Sequence, residues 1–225
     1  MAALSLVQAD PLEELIDGQQ VWRGQSAKHG FHEGAAAPLQ PTGFDALDHV
    51  LPTGGWPDAS VTELLLSSDG IGELQLLWPT LRRLSHASDA SMRPVVLIAP
   101  PYIPYAPAWA KADIDLENLH VVHATTDADA LWAAEQCLRS GACSAVLCWP
   151  MKADDRAMRR LQVAAQTGQS LGFVFRDQRE ARNPSPAALR LQLSVPEFGE
   201  TGETSIKVLK CRGGVAPNQS VSLFA

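Results

Sequence analysis

Five short apolar runs, each bounded by turn residues, dominate the middle of the chain: "SVTELLL", "RPVVLIAPP", "ENLHVVHA", "CSAVLCWP" and "QSLGFVFR". Between them lie stretches such as "TTDADALWAAEQCLRSG" and "ADDRAMRRLQVAAQTG", whose apolar residues recur at helical spacing. Runs this apolar must be covered on both faces. Strands alternating with helices of about 10–17 residues are the pattern of βαβ units. The expected fold is α/β, with a largely parallel central sheet flanked by helices. Pro79, inside "GELQLLWPTLRRLSHA", is expected to start a new turn or kink that helix.

The texture changes at both ends. After Arg176 a polar loop, "DQREARNPSP", leads into "AALRLQLSV", "ETSIKVLKC" and "QSVSLFA". These alternate with period two and are expected to extend one edge of the sheet as antiparallel strands. At the other end, "DPLEELIDGQQVWRG" reads as a helix capped at Asp10, with Pro11 at its first position and its stop near Gly18. Residues 25–43 are polar and rich in Gly and Ala, an extended linker. The expected division is an N-terminal helix, arm and linker over residues 1–37 and a core over residues 38–225.

The 225 residues are 46% hydrophobic, enough to supply the core of one such domain. A formal net charge of -7 argues against a chain that coats nucleic acid through overall basicity. Cys137, Cys143, Cys148 and Cys211 contain no C-x-x-C pair and read as reduced core thiols. No stretch has the ~18 apolar residues of a membrane span, and the N-terminus lacks a basic segment followed by an apolar one. A cytoplasmic protein is expected.

"ELLLSSDGIGELQLL" has the strand, glycine turn and helix with which a P-loop begins. The chemistry of a P-loop needs a final glycine followed by Lys and Ser or Thr. Here Gly70 and Gly72 keep the turn, but Glu73 and Leu74 stand in place of the cation and the magnesium-binding hydroxyl. A carboxylate there repels phosphate. The strand tip that would carry a magnesium-side acid ends in Cys148, Trp149 and Pro150. The turn reads as a degenerate P-loop, and no cofactor, metal or catalytic residue is expected.

"PTGFDALDHVLPTGGWPDASVTELL" resembles the entry to a RecA-type core. The block "CLRSGACSAVLCWPMKADDRAMRRLQVAAQTGQSLGFVFR" is similar to a signature shared by the SulA and ImuA families. "VWRG", "PPYIPYAPAWAKADID", the long entry Pro38 to Ser91 and the three C-terminal strands favour ImuA. That resemblance implies a RecA-like, non-catalytic scaffold of damage-induced (SOS) translesion DNA synthesis. Its implied partners are an ImuB-type protein, RecA and an error-prone DnaE-type polymerase. The alternative is a SulA-like cell division inhibitor that binds the tubulin-like protein FtsZ.

Candidate contact residues are Arg156, Arg159 and Arg160, within about one helical turn, and Arg176. Met158, Leu161 and Val163 of the same helix are expected to face the core. Arg179, Arg182, Arg190, Lys207, Lys210 and Arg212 extend the basic series toward the C-terminus, where an acidic partner or DNA phosphates could be met. Trp22, in the arm rather than the layered core, is a candidate partner anchor. His120 and His123 point to opposite faces of a strand, and His29 and His32 lie in the linker. Neither pair reads as a metal site. Asp127, Asp129, Asp154 and Asp155 sit at helix starts, where acids cap free amides. The tail "QSVSLFA" reads as a terminal strand in preference to a clamp-binding peptide.

Overall fold

The computed structural model describes residues 40–86, 93–195, 204–214, 216 and 220–224. Its eight strands are β1 (Val61–Leu66), β2 (Val95–Ile98), β3 (Leu119–Val122), β4 (Ala145–Cys148), β5 (Leu171–Asp177), β6 (Leu189–Ser194), β7 (Thr204–Cys211) and β8 (Ser220–Phe224). Five helices accompany them: α1 (Asp45–Val50), α2 (Glu73–Ser85), α3 (Ala106–Lys111), α4 (Asp127–Ser140) and α5 (Asp155–Gly168). The strands form one sheet in the order β3-β2-β4-β5-β1-β6-β7-β8. Strands β3 through β6 of that order are parallel neighbours, and β7 and β8 complete the edge antiparallel. This is a mixed α/β sheet flanked by helices.

Period-two alternation with both faces covered explains why the central strands are so apolar. In β2, Val95 and Leu97 join one core layer while Val96 and Ile98 join the other. Strand β4 does the same with Ala145 and Leu147 against Val146 and Cys148. Helix α2 covers the first layer with Leu76, Leu77 and Leu81. Helices α4 and α5 cover the second through Ala134, Leu138, Met158 and Leu161. Trp56 meets Phe173 edge-on at 5.2 Å, and its indole N–H donates to Thr80 Oγ1 at 2.7 Å. A buried Trp of this size needs such a partner for its one polar atom.

Several expectations about elements are corrected. Strand β6 is parallel to β1, with Thr62 opposite Leu189, so only β7 and β8 are antiparallel. The chain leaving β5 crosses the end of β1 through a short 3-10 turn, Gln178–Arg182, within the stretch read as a plain loop. Of the two outcomes expected at Pro79, a new turn does not occur, since helix α2 keeps the proline inside its span. The pyrrolidine ring lies against Gly43, where a Cβ would come within 2.3 Å of Pro79 Cβ, so the glycine makes room for the ring. In addition, Val163 of α5 faces outward, 49% exposed.

Of the four acids expected to cap helix starts, Asp154 does so, and Thr126 caps α4 in place of Asp127 and Asp129. Thr126 accepts from the Asp129 amide at 3.1 Å, Asp154 from the Ala157 amide at 2.7 Å, and Gly141 closes α4 at φ +70°. At its other end α5 lies close against α4. A Cβ on Gly168 would stand 1.9 Å from the Leu138 carbonyl oxygen. Arg93 ties the two helix ends together, its Nη1 donating to the carbonyls of Gly141 (3.3 Å), Gly168 (3.4 Å) and Gln169 (3.1 Å). A cation over converging C-termini complements both helix dipoles.

All four cysteines are free, with Cys143, Cys148 and Cys211 buried and Cys137 half-buried. Among the described residues no helix is long and apolar enough to cross a membrane. The N-terminal helix, Trp22, His29 and His32 lie outside the described residues.

Candidate partner-binding surfaces

The glycine turn after β1 has the backbone of a phosphate loop and a different occupant. Gly70 and Gly72 hold φ of +82° and +104°, the left-handed region that side chains disfavour. The carboxylate of Glu73, only 5% exposed, folds back over the turn, and its Oε1 accepts the Gly70 amide at 2.8 Å. A phosphate would need that amide. Burial, and then the nearby negative charge of Glu73, raise the carboxyl of Asp69 above its ordinary range. A second anion is thus doubly disfavoured. Magnesium-ATP at millimolar concentration is expected to leave the melting temperature within about 1 °C of the ligand-free value, whereas a ligand at a hundred times its Kd would add about 2.7 kcal/mol. Differential scanning fluorimetry checks this.

Beneath the turn lies a charge cluster that the sequence reading missed. Glu63, at the centre of β1, is fully buried. Its Oε1 meets Arg176 Nη1 and its Oε2 meets Arg190 Nε, both at 2.5 Å. Arg176 also donates to the Ala153 carbonyl at 2.6 Å and pairs with Glu180 at 2.9 Å. Arg190 donates to the carbonyls of Asn183 (2.9 Å) and Glu180 (2.8 Å). Both arginine side chains are 7% exposed. The structure therefore places Arg176 inside the fold, joining β1, β5 and β6 and the crossing turn. The signal was a lone carboxylate in the otherwise apolar run of β1, which requires a buried cation.

The other arginines lie on α5. Arg156, Arg159 and Arg160 are all exposed, but two are engaged within the fold. Arg159 pairs with Asp155 one turn earlier at 2.9 Å. Arg160 Nε donates to Glu135 Oε2 of α4 at 2.7 Å, and Glu135 also takes Arg139 at 2.6 Å. Glu135 is 6% exposed, so α4 and α5 are joined by a carboxylate that two arginines share. His120 and His123 are exposed on and beside the edge strand β3. No three metal-ligating side chains converge among the described residues. Strand β8 pairs with β7, Val221 opposite Ile206.

Trp132 is 61% exposed on α4. More apolar surface lies at the carboxyl ends of the parallel strands. Tyr102, Ile103 and Tyr105 follow β2 and are 71%, 89% and 70% exposed, and Met151, following β4, is 90% exposed.

Comparison with known proteins gives a consistent result. The family model for SulA, "Cell division inhibitor SulA", matches residues 59–172, from just before β1 into β5. A cell division inhibitor SulA of Pectobacterium carotovorum subsp. carotovorum (strain PC1) is 27% identical over 139 residues, covering 61% of this chain and 80% of that protein. SulA of Pseudomonas aeruginosa PAO1 is 35% identical over 118 residues, 52% of this chain and 72% of that protein. The crystal structure of SulA from Pseudomonas aeruginosa aligns with 53% of this chain and 98% of its own, at 31% identity and a TM-score of 0.44.

The family model and the SulA relatives overturn the ImuA resemblance, and with it the translesion scaffold and its ImuB-type, RecA and polymerase partners. The reason is visible in the residues. The block from Cys137 to Arg176 reads from the residues alone as either family and could not separate them. Of the features that tipped the choice, "VWRG", the first part of the entry and the three C-terminal strands lie outside the matched residues 59–172, whereas the rest of the entry to Ser91 and "PPYIPYAPAWAKADID" lie within them and belong to the SulA match.

Proposed function

The chain belongs to the SulA family, and on that premise we propose that it is a cell division inhibitor acting by binding the tubulin-like protein FtsZ. The observation that carries this reading is the family match over residues 59–172, which takes in β1 to β4 and the helices between them. Both relatives are likewise cell division inhibitors. Inhibition by binding needs no reaction. It is consistent with a glycine turn whose amide is held by the chain's own Glu73.

At a finer level we read the sheet as a RecA-like arrangement, because β1 lies inside the sheet and feeds a glycine turn into α2. Residues 1–37 are read as an arm and linker preceding a core over 38–225, and the protein acts in the cytoplasm, where its target assembles.

Expression in a rod-shaped bacterium tests the proposal in cells. The expected result is long filaments with segregated nucleoids and no septa, reversed when expression stops. Cells of ordinary length, with the folded chain accumulated to high level, would count against it.

A further inference from the structure

Among the large apolar side chains that stand exposed on the described residues, the four most exposed are Met151, Ile103, Tyr102 and Tyr105. They are not scattered. All four belong to the two loops that leave β2 and β4, which are parallel neighbours in the sheet with Ile98 opposite Cys148. The loops begin in contact, the Trp149 amide donating to the Ile98 carbonyl at 3.3 Å. The second loop is held in place from α4, since Asp127 accepts the amides of Met151 (2.8 Å) and Lys152 (3.2 Å). Apolar side chains presented to water on anchored backbone mark a protein-binding surface, and tyrosines are favoured anchors in such surfaces.

Beside them opens a crevice of about 270 Å³, lined by Pro101, Trp149 and Met151 together with Asp69, Phe175 and Asp177. Trp149 lies stacked on Phe175 at 4.3 Å and 4°, which fixes the indole. Arg176 also lines this space, but Glu63 and Glu180 already pair with it. Asp69 and Asp177 therefore set the sign of the crevice. Asp177 Oδ1 accepts the Arg179 backbone amide at 2.7 Å, but the Arg179 guanidinium comes only to 3.9 Å, from a side chain 91% exposed, too loosely to cancel the charge. The charge here agrees with the chain's net -7. A cationic side chain is the complement of two carboxylates beside an indole. The carboxyl end of a parallel sheet is also where open α/β folds bind what they recognise.

We propose that Tyr102, Ile103, Tyr105 and Met151, with the Asp69–Asp177 crevice, dock a segment of the partner protein that carries large apolar side chains and one basic side chain. The inference rests on the reading above, in which that partner is FtsZ. The apolar residues supply the contact, and the crevice orients it by taking the basic group.

The test is the affinity of the full chain for purified FtsZ, measured for the wild type and three double variants, with melting temperature and elution volume recorded for each. Tyr102→Ser with Ile103→Ser is expected to weaken binding about tenfold or more, and Asp69→Asn with Asp177→Asn about threefold to tenfold. Both are expected to melt within about 2 °C of the wild type, because the changed side chains are at the surface. The second variant should also lose most of the wild type's dependence on salt. Wild-type affinity in both variants, or a loss seen only with Arg156→Glu and Arg159→Glu on α5, would overturn the surface while leaving the division-inhibitor reading intact. A dimer that the first two variants split without changing FtsZ affinity would make this a self-association face and overturn the proposal. A wild-type chain that does not bind FtsZ would instead overturn the reading on which the proposal rests.

Discussion

Glu63→Gln is expected to destabilise the protein by about 4 kcal/mol, the range measured when one member of a buried charge cluster is removed. For a domain of this size that corresponds to a fall in melting temperature of roughly 8–16 °C. The size of the effect comes from what remains. Arg176 and Arg190, each 7% exposed, would keep their charges in the interior with only carbonyls and Glu180 as partners. A domain stable by about 5–15 kcal/mol would lose a large part of its margin. Replacing all three groups, as Glu63→Leu, Arg176→Met and Arg190→Met, is expected to recover most of the loss, because no charge is then buried unpaired. Urea denaturation of the wild type, the single variant and the triple variant measures both. A single variant within about 0.5 kcal/mol of wild type would mean the cluster holds nothing together.

Gly168→Ala is expected to be the next most damaging change, about 3 kcal/mol, the upper end for overpacking a filled site. Alanine ordinarily favours a helix over glycine by about 1 kcal/mol, so the sign here is set by contact alone. The new Cβ would stand 1.9 Å from the Leu138 carbonyl oxygen and 2.8 Å from the Gly141 amide nitrogen. Both are backbone atoms and cannot rotate away. Helix α5 would have to lift from α4, disturbing the carbonyls that Arg93 collects. Amide exchange would locate the damage, with protection lost first at the C-terminal turns of α4 and α5 and retained in β1 and β5. An alanine variant more stable than wild type would show that the two helices have room to adjust.

Much of the fold could be read from the residues because both faces of the sheet are covered. A run such as "VVLI" has no other stable place, and Asp154 marks where α5 begins. Strand β6 could not be read in the same way. Its parallel direction depends on a crossing turn from β5 to the far side of β1, and nothing local to "LRLQLS" encodes that. Glu63 was legible in principle, since a carboxylate amid Val, Thr and Leu demands a buried partner, but which of many arginines would answer it was not. Arg176 read as surface because the residues after it are polar. The glycine turn was legible as a loop without nucleotide chemistry, although the backward fold of Glu73 onto Gly70 needed coordinates. The family was legible only as a pair of possibilities, because its most specific string serves both.

The most direct measurement is the assembly of purified FtsZ with GTP, followed by light scattering and sedimentation as the full chain is added. The account predicts that polymer falls in proportion to added chain, approaching complete loss near equimolar amounts, with no dependence on ATP. Polymer unchanged at tenfold excess of a folded chain would contradict it.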